Sequence, residues 1–437
     1  MANQERERIL IIGNGFDLAH FLPTKYEHFI HAMRAIEEAD NDSVLSFKEL
    51  YKQLLGENDY ILVKCEEIYK TEDFNIQVNE LKNDLVSNGW FQFFKKQIDS
   101  GIDTWIDFEN EIEYALESVC NLMNEMEEDA NYFMITVDGK ESFIKRDLLR
   151  VKMFRKYPAL HTMLWQFEII DRSQNDRERI LLNKSFVKYY HKRAVYLDIN
   201  NIFSTLTSDW NDFIKIFTKY ISYIEKIEPR KEMKKPKVLK RYITKIYSFN
   251  YSSTINRFYV GNKIDYLHGN IENNNIVLGI SDIKDDLLIK EKAYAFAKYY
   301  QKLVNKTDYQ FLSRSNELKR IENMDDENFR LGKVEPYEIY IWGHSLDSSD
   351  SDYIREMFSF NKGLNPSVYI IVYYFGTPHA QLANLISIMG KDIIEQWMKA
   401  GWLEFVETPD IYRLNTEEEY EDKLSDFYEK QSKPLNL

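Results

Sequence analysis

Apolar positions open the chain with the unbroken run Ile9-Leu10-Ile11-Ile12. Such a run reads as a central strand covered on both faces. Gly13-Asn14-Gly15 ends it, allowing a sharp turn that brings backbone N–H groups close to a ligand. An apolar stretch leads to Thr24-Lys25-Tyr26-Glu27, a capping-box pattern that predicts a helix over 24–38. A strand, a glycine turn and helix N-termini together make an anion site, most often for phosphate. The third glycine of the dinucleotide fingerprint is absent near Leu18, so a plain tight turn explains the motif equally well.

From there to roughly Pro236 the apolar periodicity is helical and glycine is sparse. Phe108, Ile112, Leu116 and Val119 mark one helix face; Leu206, Trp210, Phe213, Phe217, Tyr220 and Ile224 mark another. Asp107, Glu109 and Glu111 fall in the first turns of the former, where carboxylates suit the positive end of the helix dipole. Carboxylates alternating along one helix point to different faces, which disfavours a metal site. Residues 125–129 read as a solvated acidic helix end or loop, and Asp138-Gly139 predicts a small hairpin over 135–141. Pro229 and Pro236 bracket the most basic stretch of the chain, which reads as an exposed connector.

Beyond it, strand candidates lie at 245–249, 264–267, 276–278, 338–342, 368–375 and 402–406, with helical stretches at 290–304, 353–358 and 382–398. This alternation predicts an α/β fold: a Rossmann-like, largely parallel sheet with helices on both faces. The economical division joins 1–30 and 239–437 as a Rossmann-like nucleotide-binding core, with 31–238 as a large, mainly helical insertion domain. There is no internal repeat and no low-complexity tract.

Composition narrows the function classes. A chain of 437 residues, 44% hydrophobic with 30 Tyr and 27 Phe, has more material than one core usually needs. Its net charge of −14 argues against a dominant nucleic-acid surface and against anionic membranes as partners. Cys65 and Cys120 are far apart with no Cys-x-x-Cys, which removes a disulfide framework and a structural zinc site of the usual spacing. No signal peptide fits the charged start, and the longest apolar run, 368–375, suits a strand; a cytoplasmic location is the expectation.

Four segments put polar residues just beyond predicted strands: Gly13-Asn14-Gly15-Phe16-Asp17, Ser248-Phe249-Asn250-Tyr251-Ser252, Leu267-His268-Gly269-Asn270 and Gly343-His344-Ser345-Leu346-Asp347. Ligands of doubly wound sheets bind beyond the carboxyl ends of the strands, so the four are expected to meet in one crevice.

The same pieces carry a resemblance to the abortive-infection AbiH proteins of bacterial anti-phage defence. It rests on Ile11 to His20 (Ile-Ile-Gly-Asn-Gly-Phe-Asp-Leu-Ala-His), Leu22-Pro23-Thr24-x-Tyr26, Trp105-x-Asp107-x-Glu109, Phe249-Asn250-Tyr251, His268-Gly269 and Gly343-His344-Ser345-Leu346. More distantly, the chain is similar to sirtuin-like NAD-consuming domains. Those have Gly-Ala-Gly-x-Ser with a proline ten residues after the first glycine, as Pro23 follows Gly13 here. Their asparagine is followed about seventeen residues on by His-Gly; here Asn250 and His268-Gly269 stand eighteen apart. Their closing Gly-x-Ser is matched by Gly343-His344-Ser345. Ser252 stands where that pattern has Asp, Asp17 where it has Ser, and the paired zinc cysteines are missing. The similarity is therefore to defence-type NAD hydrolases more than to lysine deacylases.

The resemblance implies an anti-phage effector with NAD(P) glycohydrolase chemistry, cleaving the nicotinamide–ribose bond through an oxocarbenium-like state. NAD(P) is then the substrate, and no cofactor or metal is required. Asn250 would hold the ribose and position water, and His268 would act as general base toward a ribose hydroxyl. Gly13, Asn14 and Gly15 would cradle the pyrophosphate, with Phe16, Asp17, Pro23 and Gly343 in the same nucleotide-binding set, and Ser345 would contact phosphate or the adenosine ribose. The expected partner is a small nucleotide; a homo-oligomer is compatible with the sequence, which does not reveal the phage-derived trigger.

Plainer roles exist for each residue. Asn250 would serve as a strand-end cap or Asx-turn, His268 as a turn residue, and Asp17 as a backbone cap or as the replacement for the missing acid. Gly343-His344-Ser345 lacks the Gly-x-Ser-x-Gly spacing of a nucleophile elbow. Asp347, Asp350 and Asp352 lack calcium-loop register and are expected to cap the helix near Tyr353. His28 and His31 have no further ligands to make a metal site, and no Walker A motif occurs. Two other functions remain open: a nucleotide-sensing module without chemistry, and a nucleic-acid-directed toxin using the basic stretch.

Overall fold

The computed structural model of the protein describes residues 7–98, 105–128, 163–169, 183–190, 194–259, 263–307, 311–312, 336–361 and 368–422. Six strands form one all-parallel sheet: β1 (Arg8–Ile12), β2 (Lys245–Ser248), β3 (Ile264–Tyr266), β4 (Tyr337–Trp342), β5 (Val368–Tyr374) and β6 (Leu403–Glu407). Their spatial order is β3-β2-β1-β4-β5-β6, the order of a doubly wound Rossmann sheet. Strands covered on both faces are largely apolar, and β1 and β4 are buried almost end to end, with buried Glu338 of β4 held by Arg8 and the Tyr340 hydroxyl, while the edge strand β3 is half exposed.

The register sets the site. Ile12 pairs with both Ser248 and Trp342, and Ser248 pairs with Tyr266. Gly13, Phe249 and Gly343 therefore leave the sheet side by side, with Leu267 one strand further along. The order in which strands are added reverses between β1 and β4, the position where sheets of this kind open a crevice.

The helices that matter here are α1 (Asn14–Ala19), α2 (Tyr26–Glu38), α3 (Gly89–Ile98), α4 (Trp105–Glu128), α5 (Ile199–Ile224), α6 (Thr254–Tyr259), α7 (Lys298–Asn305), α8 (Ser351–Phe358), α9 (His379–Met389) and α10 (Lys391–Lys399). Helices α2 to α5, between β1 and β2, share an aromatic core. Phe29 packs on Phe213 and Tyr220, Phe94 on Phe108, and Trp90 on Trp210. Both tryptophans also touch Phe296, just ahead of α7, so the apolar packing runs on into the segment that follows β3. Two short antiparallel ribbons, Val44–Ser46 with Asn75–Gln77 and Val187–Tyr190 with Ala194–Leu197, lie with these helices among the described residues between β1 and β2. Among the described residues no helix is long and apolar enough to cross a membrane.

Several local expectations are corrected. Helix α2 starts at Tyr26 with Lys25 in the cap position and no side-chain cap bond, so the predicted box at Thr24 does not form. Residues 276–278 make no strand, because the Gln301 side chain takes both the N–H and the carbonyl of Leu278. The helix expected over 290–304 is broken into Asp286–Lys290, a short 3-10 turn at Ala293–Phe296, and α7. The one expected over 382–398 is split into α9 and α10 by Gly390, whose φ of +87° no helix tolerates. Strand β5 ends at Tyr374, leaving Phe375 82% exposed. Helix α4 continues through Glu128, and the hairpin predicted over 135–141 lies outside the described residues. The charged side chains of the basic stretch reach solvent while Met233 and Pro236 are buried, and acidic neighbours hold part of it: Arg230 forks onto Glu72 at 2.6 Å and Lys237 meets Glu421 at 2.8 Å.

Candidate functional site

The turns after β1 and β4 are knitted together by their backbones. Gly13 N–H donates to the Trp342 carbonyl at 3.0 Å, and Gly15 N–H donates to the Gly343 carbonyl at 2.8 Å. A Cβ on Gly15 would lie 2.7 Å from Gly343 Cα, and Gly343 itself has a φ of +76°. The glycines thus permit two main chains to touch, and the Gly15 amide is already occupied. Phe16 is buried edge-on against Trp342 and tilted against His20, while the Pro23 carbonyl accepts from Tyr220 Oη. Both support the turn from behind.

Asp17, on α1, faces the residues that follow β2. Ser252 Oγ donates to its Oδ2 at 2.5 Å, and Ser252 Oγ lies 3.0 Å from Thr254 Oγ1. Burial disfavours the carboxylate and pushes its pKa up to about 6, with Ser252, Thr254, Asn250 and then Arg257 restraining the rise. Asn250 is 4% exposed, and its backbone is fixed by the Ser248 hydroxyl, which meets both its N–H and its carbonyl. Its side chain lies near enough to favour the Asp17 charge, yet neither Oδ1 nor Nδ2 makes a hydrogen bond of normal geometry. A buried amide left open in this way costs stability and is a mark of a ligand position.

His268 follows β3, with its ring against Phe249 and Tyr251. Its Nε2 lies 3.3 Å from Asp350 Oδ1, and His344 Nε2 lies 3.3 Å from Asp350 Oδ2. Phe249 also packs on the His344 ring, with centroids 4.3 Å apart, so one aromatic side chain separates two imidazoles that share one carboxylate. From α7 comes Lys298, buried and paired with Glu109 of α4, and Lys302 above the Tyr353 ring. Burial, then Lys302, disfavour the imidazolium of His268; at Asp350 burial opposes the charge too, but His268, His344 and Lys298 outweigh it and hold the carboxyl well below the usual carboxylate range.

The structure therefore gathers Gly13, Gly15, Asp17, Asn250, His268 and Gly343 beyond the carboxyl ends of four neighbouring strands, with Asn14 half-buried in the same turn. Ser345 is exposed, its carbonyl accepting from Asn384 of α9. Two readings of acidic residues need correction. Asp347, which accepts from Ser349 N–H, is the residue that caps; Asp350 makes no cap bond and faces the two histidines. Glu109 belongs to the buried ion pair with Lys298 beyond any dipole role, while the Asp107 side chain lies outside the described residues. His344, Asp350, Lys298 and Lys302 are the site residues that sequence reasoning missed. The position of His344 and Asp350 in one strand-end loop was the signal available. Among the described residues no group of three or more His, Cys, Asp or Glu has the geometry to hold a metal ion.

A parallel sheet in this order, with buried polar groups beyond its central strand ends, defines a Rossmann-like α/β protein with its candidate site at the topological switch point. The chain belongs to the family described as bacteriophage abortive infection AbiH, whose model matches residues 9–374, from β1 to the end of β5. Comparison with curated proteins and with solved structures found no match.

Proposed function

We propose that the protein is an abortive-infection effector that hydrolyses the nicotinamide–ribose bond of NAD(P). The observation that carries this reading is the buried, unpartnered amide of Asn250 beside a carboxyl whose pKa lies near 6. Cleavage breaks the C–N bond, releases neutral nicotinamide and leaves positive charge on the ribose ring. Asn250 offers an acceptor to the attacking water and a donor to a ribose hydroxyl. Asp17, ionised above pH 6, stabilises the ring charge and takes the water's proton as the new C–O bond forms. His268 is kept neutral by burial and the lysines, so its free nitrogen accepts a hydrogen bond from a ribose hydroxyl.

The test is to follow NAD, nicotinamide and ADP-ribose with purified or phage-challenged protein. Nicotinamide and ADP-ribose are expected in equal amounts, with Asn250→Ala and His268→Ala each lowering the rate about 100-fold or more while the fold stays intact. Unchanged turnover in both variants would remove the mechanism. The depressed basicity of His268 favours one second reading, nucleotide sensing without chemistry. Calorimetric NAD uptake with no product over long incubation would select it.

A further inference from the structure

We infer that Asp350 is a positioning residue: it fixes both His268 and His344 as Nε2–H imidazoles and leaves Nδ1 of His268 as the acceptor. Only the activity arm of the test rests on the glycohydrolase reading.

The protons on this trio can be assigned from its partners. Leu346 N–H donates to His344 Nδ1 at 2.9 Å, and to deliver it Leu346 holds a φ of +56°, a conformation that side-chain-bearing residues rarely adopt. With Nδ1 an acceptor, neutral His344 carries its proton on Nε2, which faces Asp350 Oδ2 at 3.3 Å. The other oxygen lies at the same distance from His268 Nε2, within reach of charge attraction but without the alignment of a normal hydrogen bond. An ionised carboxylate only accepts, so it selects the Nε2–H form of this ring too. The charged and titratable groups around His268 are Asp350, His344, Lys298, Lys302, Glu109 through Lys298, and the Tyr251 hydroxyl. Buried Asp350 also supplies the compensating charge if His268 Nδ1 takes a proton.

One consequence separates positioning from bulk support. Asparagine at 350 has one acceptor and one donor in place of two acceptors. His344 is locked by Leu346 and must keep its Nε2–H, so the amide oxygen goes to His344 and the amide NH2 turns to His268. The proton of His268 is then driven from Nε2 to Nδ1, and the acceptor is lost. Replacing His344 as well releases the amide, whose oxygen can turn back to His268.

The experiment is nitrogen-15 NMR of the histidine rings in the full chain, without substrate, alongside NAD turnover. In the wild type His268 is expected as Nε2–H. In Asp350→Asn it is expected as Nδ1–H, with kcat lowered about 100-fold or more and KM changed less than about threefold. In His344→Leu/Asp350→Asn the Nε2–H form is expected to return, with about tenfold more turnover than in Asp350→Asn alone. A purely structural role predicts that the double variant is no better than the single. Nδ1–H on wild-type His268, an unmoved proton in Asp350→Asn, or no return in the double variant overturns the inference. If Asp350→Asn does not fold, the wild-type ring form decides. Expected ring forms in a wild type without turnover would sink the glycohydrolase reading and leave this inference standing.

Discussion

Ser252 Oγ donates to Asp17 Oδ2 across 2.5 Å, joining residues 235 apart in the chain at the ends of adjacent strands. A hydroxyl donor favours the ionised acid, yet burial outweighs it and the Asp17 pKa stands near 6, above its ordinary 3.8. Between pH 4 and 6 the folded chain therefore keeps a proton that the unfolded chain has released, and stability falls as pH rises through that window. At about 1.4 kcal/mol per unit the cost is on the order of 3 kcal/mol, complete above pH 6. Asp17→Asn removes it. Thermal melts should show the variant gaining on wild type between pH 4.5 and pH 7.5; a gap that does not change with pH would contradict the assignment.

Asn250→Leu should separate stability from function. The amide it replaces makes no hydrogen bond of normal geometry and favours only the Asp17 charge, so at pH 4.5, where Asp17 holds its proton, unfolding free energy should change by less than about 1 kcal/mol. Nucleotide binding by calorimetry should disappear. A loss of about 3 kcal/mol with binding retained would make Asn250 a structural residue.

The touching turns leave no room for a side chain. A Cβ on Gly343 would lie 2.0 Å from Phe16 N in a left-handed backbone, whereas a Cβ on Gly15 meets Gly343 Cα at 2.7 Å with no φ penalty. Gly343→Ala should cost about 3 kcal/mol or more and Gly15→Ala somewhat less, read from denaturant midpoints. Equal, small effects would mean that the turns separate easily.

His20 is a second histidine held neutral. Its Nδ1–H donates to the Phe16 carbonyl at 2.7 Å, so Nε2 accepts from Tyr259 Oη at 2.6 Å, and burial brings its pKa down to about 4. Its neutral form stabilises the fold fully above pH 6.5, and that stability is lost as pH falls toward 4. Tyr259→Phe removes the donor to Nε2 and should cost about 1–2 kcal/mol at pH 7.5 by chemical denaturation. His20→Leu should flatten the acid side of the stability profile; an unchanged slope would assign the acid sensitivity elsewhere.

The sheet is legible in the sequence because strands buried on both faces read as unbroken apolar runs, as at Ile9 to Ile12. Its strand ends are legible too, since polar residues interrupt those runs at Gly13, Asn250, His268 and Gly343. Helix α7 is opaque for the opposite reason. Lys298 is 4% exposed while Val304 is 61% exposed, so the polar face turns inward and periodicity assigns the wrong side to the core. Asp350 is hidden differently. Three aspartates within six residues give the same local capping signal, and only the end of β3, remote in sequence, distinguishes the one that meets His268.

Strand β1 lies between β2 and β4 and precedes both in the chain, so it leaves the ribosome before either neighbour exists. Asp17 is made early, Asn250 and His268 past the midpoint, and Asp350 only after β4. A nascent or prematurely terminated chain would hold the glycine turn without the groups that act with it. For an effector of the kind proposed, this ordering would keep half-made copies harmless to the cell translating them.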